Sequence, residues 1–284
     1  NDGTGPLGCA NTASVNLTVN PLPSPVTITP TAATVCVGGN VTLNATSGST
    51  GSGTIGTGTV SNTTATPYKG FWGGSKVQYL YTAAELSTMG AQAGSAISAI
   101  SLPVSAFTSP YTFNGFTIAM KNTTTSALTS TPESGTTTVL GPTTYTLTGT
   151  APFNVSHTIT PFTWDGTSNL VVEFCFNNVD GGGVSSNSAD VTSSTVASGF
   201  VIYFSADNTA TVCSTTSGWT TTSTSRPNMS FTYSSASPIT WSPATYLNTT
   251  SGNTVISTPT ADITYTATAT LGSCTVSNTV AVTM

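Results

Sequence analysis

One strand pattern stands at both ends of this chain. From Cys9 the residues read C-A-N-T-A-S-V-N-L-T-V, and from Cys274 they read C-T-V-S-N-T-V-A-V-T-M. Val15, Leu17 and Val19 follow the first cysteine at the same distances as Val280, Val282 and Met284 follow the second. Alternation of apolar and polar residues puts one face of a pleated strand inward and the other outward. A single structural unit therefore closes twice, once near each end. Behind the first copy comes Asn20-Pro21-Leu22-Pro23-Ser24-Pro25, a stiff proline-rich connector. Residues 1–20 are expected to be the last strand of a preceding domain and 21–25 the linker. Cys9 is then unpaired within this chain, its partner lying upstream.

A cysteine followed by alternating residues suits the closing strand of an immunoglobulin-like sandwich. The next such domain opens at Val26-Thr27-Ile28-Thr29 and runs through Val35-Cys36-Val37-Gly38-Gly39 to Val41-Thr42-Leu43-Asn44-Ala45. The Trp-bearing strand that should come next is missing there. Ser47 to Thr59 is a Gly/Ser/Thr stretch, and the expected strand appears only at Ile239-Thr240-Trp241-Ser242. The economical reading is one immunoglobulin-like domain split into 26–65 and 235–284, with a second domain inserted over 66–234. Insertion at an exposed loop is tolerated because domain termini lie at the surface and close together. Three consecutive small domains is the alternative, but each flank alone is too short to bury a core.

The insert has strand signals of its own at residues 76–81, 113–120, 169–176 and 199–204, each short, β-branched or aromatic, and bounded by turn formers. Thr82 with Glu85 three residues on predicts a capping box on one short helix. The fold class expected is all-β: an immunoglobulin-like β-sandwich interrupted by a jelly-roll-like β-sandwich.

Composition excludes several functions. Only four Lys/Arg and nine Asp/Glu occur in 284 residues, giving a net charge of −5. No basic patch exists to neutralise phosphates, so nucleic acid is not an expected partner. No apolar run reaches the roughly 20 residues of a membrane-spanning helix. The amino terminus carries no charged-then-apolar leader, so an export signal is expected outside residues 1–284. Five cysteines without CxxC pairs read as an extracellular disulfide framework rather than a zinc site.

Three stretches of the insert, residues 71–86, 161–170 and 226–229, resemble a β-sandwich module of large proteins exported by the type IX secretion system of gliding bacteria and their relatives. The flanks, through residues 35–39 and 241–245, are similar to the immunoglobulin-like repeats of the same proteins. The resemblance implies a secreted, cell-surface setting of adhesins and gliding-motility filaments. It carries over no catalytic residues.

By position in the split domain, Cys36 is expected to pair with Cys274, and within the insert Cys175 with Cys213. A hydrolytic nucleophile needs a base beside it, and the only histidine, His157, lies in no nucleophile motif. Asp165 and Glu173 are the remaining candidates for acid and base work, but Asp165-Gly166 reads as a turn. No catalytic residue and no cofactor is assigned. Asp180-Gly181-Gly182-Gly183 with Asp190 and Asp207 has the oxygen chemistry calcium takes, in a spacing that matches no calcium loop. Phe71, Trp72, Trp164 and Trp219 lie near Gly- or Ser-rich turns where aromatic rings form platforms for sugars, although core packing explains each as well. Asn16, Asn122 and Asn248 head glycosylation sequons. The expected function is a non-catalytic structural or adhesive segment of an extracellular surface protein, with neighbouring repeats and a surface polysaccharide as partners. A carbohydrate-binding module of a secreted polysaccharide-degrading enzyme is the alternative.

Overall fold

The computed structural model describes residues 23–284 apart from 109, 180–182, 184–186, 218 and 220. The tail over 1–20, Cys9, the Asn16 sequon, the start of the linker and Asp180 lie outside the described residues. The chain is all-β, with strands alternating with short turns and one short helix.

The chain opens with β1 (Thr27–Thr29), β2 (Ala32–Thr34) and β3 (Val41–Thr46). In β3 the alternation works as read: Leu43 and Ala45 are buried while Thr42 and Asn44 face out. The central segment supplies β4 (Gly48–Ile55), β5 (Val60–Asn62), β6 (Gly74–Tyr81), α1 (Ala83–Met89), β7 (Ala96–Phe107), β8 (Tyr111–Thr123), β9 (Thr137–Leu147) and β10 (Phe153–Thr163). It continues with β11 (Asn169–Asn177), β12 (Ala189–Thr195), β13 (Val201–Ala206), β14 (Thr221–Ser223), β15 (Ser225–Pro227) and β16 (Met229–Ala236). The last stretch holds β17 (Ile239–Ser242), β18 (Thr254–Ser257), β19 (Ile263–Leu271) and β20 (Cys274–Thr283).

Both flanks build one sandwich. One sheet has the order β1-β3-β18 and the other β17-β19-β20-β2, so each mixes strands from before and after the insert. Their shared core includes Val26, Ile28, Leu43, Trp241, Val255, Tyr265, Ala267 and Val282. Trp241 is buried on β17, the fourth strand of the frame, and the Tyr265 hydroxyl donates to the Thr245 carbonyl at 2.8 Å. The insert therefore occupies the connection between the third and fourth strands, β3 and β17, of an immunoglobulin-like frame.

The guest is a second, larger sandwich, and all its strand pairs are antiparallel. One sheet runs β14-β13-β6-β11-β8-β9; the other runs β15-β12-β7-β16-β4, with β10 on β7 and β5 on β12. Tyr79, Tyr81, Phe116, Phe174, Trp164 and Phe231 fill the space between them. β6 is buried on both faces along its whole length. Its second face, with those of β11 and β13, carries Leu80, Val171 and Ile202 under Leu128 and Trp219. The capping box forms as expected: the Glu85 amide donates to Thr82 Oγ1 at 3.2 Å and the Thr82 amide to Glu85 Oε2 at 2.8 Å.

Two sequence expectations are corrected. The first concerns the boundary, since the guest spans 48–236 rather than 66–234. The Gly/Ser stretch after Ser47 is strand β4, paired with β16 from Gly48 opposite Ala236 to Ile55 opposite Met229. β4 shows no apolar alternation because neighbours fill its side-chain space. A Cβ on Gly51 would lie 2.7 Å from the Tyr233 ring, and one on Gly53 2.2 Å from Met89 Cγ.

The second concerns the frame cysteines. β2 runs parallel to β20 with Thr34 opposite Thr283, which places Cys36 beyond the far end of β20, whereas Cys274 is that strand's first residue. Nine residues of strand separate the two positions, about 30 Å, and a disulfide needs Cα atoms within roughly 7 Å. Cys36 is exposed in its Gly-Gly turn. The Cys175–Cys213 bridge forms, with Cα atoms 5.6 Å apart.

Candidate functional site

A cluster of chemically capable side chains lies on the guest, where the chain leaves β5 and turns into β6. Residues 70–72 form one 3-10 turn that is tightly clamped. Lys69 bridges to Ser188, the Phe71 amide donates to Ser188 Oγ at 3.1 Å, and a Cβ on Gly70 would lie 2.1 Å from the Asn187 carbonyl. The clamp leaves Trp72 outside, 45% exposed, with its ring edge-on to Phe71 at 4.7 Å. Phe71, unlike Trp72, also lines a cleft of about 450 Å³, together with Thr63, Lys69, Phe107, Ser188 and Asp190 among others.

The cleft holds one cation and one anion. Lys69 Nζ donates to the Thr63 carbonyl at 2.6 Å and stands 5.1 Å from the Phe71 ring centre. Burial lowers its pKa, and Asp190 partly opposes this. Asp190, on β12, is pushed up by burial, while a 3.4 Å contact from Ser61 Oγ and the charge of Lys69 pull it back. The other three cations of the chain are all in ion pairs: Lys76 with Glu173, Lys121 with Glu133, and Arg226 with Glu85.

The structure brings Phe71 and Trp72 together and removes the other two aromatics proposed for glycan contact. Trp164 and Trp219 are fully buried. Trp164 packs into the guest core and donates Nε1 to the Ser168 carbonyl at 2.8 Å. Trp219 roofs the second apolar layer, a layer hidden from a reading that assumes one core per sandwich. Neither can meet a sugar without unfolding its surroundings.

Asp165 and Glu173 do not form an acid/base pair. Asp165 caps a turn, accepting from the Thr167 and Ser168 amides at 2.9 and 2.7 Å, and the Ser168 hydrogen bonds hold its pKa down. Glu173 lies inside β11, raised by burial against the pull of Lys76 at 3.4 Å and of Gln78. The calcium grouping is also dispersed, because Asp190 lies on β12 in one sheet and Asp207 follows β13 in the other. Among the described residues no three His, Cys, Asp or Glu side chains converge on a metal position. Asn122, a sequon head, uses its amide to donate to the Thr163 carbonyl at 3.0 Å.

His157 is a packing residue. It sits on β10 against Tyr145, Phe116 and Tyr68, with Nε2 2.7 Å from the Tyr68 hydroxyl, and burial lowers its pKa to about 4. Between pH 6.5 and 4 the unfolded chain takes up a proton that the folded chain refuses. Stability is therefore complete above about pH 6.5 and falls as pH drops to about 4, by on the order of 3 kcal/mol. Glu173, with its raised pKa, works in the opposite direction. Urea titrations of the native chain and of His157→Gln at pH 7, 5.5 and 4.5 should show this loss in the native chain only; equal slopes would refute it.

Lys69 is the site residue that sequence reasoning missed, and Asp190 was read only as a possible calcium ligand. The available signal was Lys69 itself, one of four basic residues in the chain, two positions before Phe71-Trp72. Comparison with known families, curated proteins and solved structures finds no match to this chain.

Proposed function

We propose that this segment is non-catalytic and adhesive: one immunoglobulin-like link of a secreted surface protein, presenting a guest sandwich from one of its loops. The observation that carries this reading is the way the guest is mounted. Its first and last strands, β4 and β16, pair with each other directly at the junction, Gly48 opposite Ala236. The Ser237 amide donates to the Ser47 carbonyl at 3.0 Å just outside that pair. A frame continuous through both flanks thus holds a separate domain by two adjacent connections, the arrangement suited to display.

The Cys175–Cys213 bridge fits an oxidising, extracellular setting. Among the described residues no helix is long and apolar enough to cross a membrane. The resemblance to type IX secreted modules supports placement on a cell surface beside neighbouring repeats. With three of four cations already paired, nucleic acid is a poor partner.

Microspheres coated with the whole chain test the reading under flow. They should be retained on polysaccharide-coated surfaces well above albumin-coated controls. Retention no better than the control, or release of soluble sugar from the coating, would reject it. The exposed Trp72 beside a cleft favours a second reading, a carbohydrate-binding module serving a secreted polysaccharide-degrading enzyme. A catalytic domain in the same open reading frame would favour that alternative.

A further inference from the structure

We propose that the cleft between Lys69 and Asp190 binds a neutral pyranose sugar, with the Phe71 ring on its wall as the platform for the apolar face and the exposed Trp72 backing that ring edge-on. The inference rests on the adhesive reading, for which it supplies the ligand class.

Four observations converge. Of the four tryptophans, Trp164, Trp219 and Trp241 are no more than 3% exposed, while Trp72 is 45% exposed. A large aromatic left out of the core on a rigid turn is a feature of binding surfaces. The turn is clamped by Ser188 and by the close packing at Gly70, so the ring is held in place before a ligand arrives. Such preorganisation lowers the entropy cost of binding.

The charges point the same way. In a chain with thirteen charged side chains, Lys69 is the one cation without an ion-pair partner among the described residues, and it faces a cleft that also holds Asp190. A lone ammonium donor and a carboxylate acceptor separated across a cleft can hydrogen-bond a ring of hydroxyls, and such charge-assisted bonds are the stronger kind. Thr63 and Ser188 add alcohol groups to the same wall. The cleft, about 450 Å³, is in the size range of small-molecule sites.

Sugars present an apolar C–H face and a hydroxyl edge together, and this cleft offers a partner for each. One positive and one negative group give no net charge preference, which favours a neutral ring over a uronate or a sialic acid. A phosphate ligand would want several cations, and only one is available.

The test uses the whole chain on a printed panel of neutral, uronic-acid and sialylated oligosaccharides, followed by calorimetry with the best-bound neutral one. Phe71→Ala and Asp190→Asn should each weaken binding about ten-fold or more, with melting temperatures close to the native value, and Phe71→Tyr should retain most of the affinity. The proposal fails if no neutral sugar binds, if only acidic sugars bind, or if affinity survives both Phe71→Ala and Asp190→Asn. Microsphere retention separates this failure from failure of the adhesive reading. Retained spheres with a blank neutral panel reject the sugar cleft alone, and unretained spheres with neutral binding reject adhesion alone.

Discussion

Replacing both Cys175 and Cys213 with alanine should lower the stability of the guest sandwich by about 4 kcal/mol and leave the frame unchanged. The bridge closes a 38-residue separation, and the chain-entropy model gives about that value for such a loop. Local packing adds to the case. Cys213 lies in the 3-10 turn Val212–Ser214, and its carbonyl accepts from Lys76 Nζ at 3.0 Å. The same connection carries Trp219 onto the Leu80 and Ile202 layer. Without the bridge, the roof over that face is held by packing and by the hydrogen bonds at Cys213. Denaturant unfolding followed by tryptophan fluorescence, with and without reductant, checks this. The guest transition should move and the frame transition should stay. Coincident curves for native and variant chains would refute it.

Arg226→Ala should cost the guest about 2 to 3 kcal/mol, because it removes a buried guanidinium with its charged hydrogen bonds and ring contact while the partly exposed Glu85 can be rehydrated. Arg226 is 3% exposed on β15. Its guanidinium lies over the Tyr81 ring at 4.4 Å, donates to the Leu80 carbonyl at 2.6 Å and engages both oxygens of Glu85, one of them at 3.0 Å. Burial alone would raise the Glu85 carboxyl. The hydrogen bonds from Arg226 and Thr82 outweigh that and hold it below the ordinary carboxylate range. One side chain therefore ties β6, the helix cap and β15 together. Arg226→Lys keeps the charge and loses the planar fork, so its cost should fall between native and alanine. Urea midpoints of the three proteins give the order; a cost below 1 kcal/mol for alanine would contradict the contact pattern.

The frame was legible because its strands have one wet face. In β19 the run Ile263-Thr264-Tyr265-Thr266-Ala267-Thr268-Ala269 alternates strictly, and Tyr265, Ala267 and Ala269 are all buried. The split was legible for the same reason, since Trp241 appears on a strand that belongs after β3. The helix cap at Thr82 and the pairing of Cys175 with Cys213 also followed from local pattern and position. The parts that were not legible depend on distant neighbours. β4 is a strand because Tyr233 and Met89 occupy the space its glycines leave, and no local period records that. The frame cysteines were misread because strand direction, not order in the chain, decides which end of β20 Cys36 approaches. The cleft joins Lys69 to Asp190 across most of the guest, and the burial of Trp219 required a second apolar layer that the sequence does not announce.

Because Gly48 and Ala236 stand side by side, the distance from the start of the frame to its end does not depend on what is threaded between them. In a row of such units the pitch belongs to the small sandwich alone. The larger one can lengthen, shrink or be exchanged for another shape without shifting its neighbours, and a pull along the row passes it by.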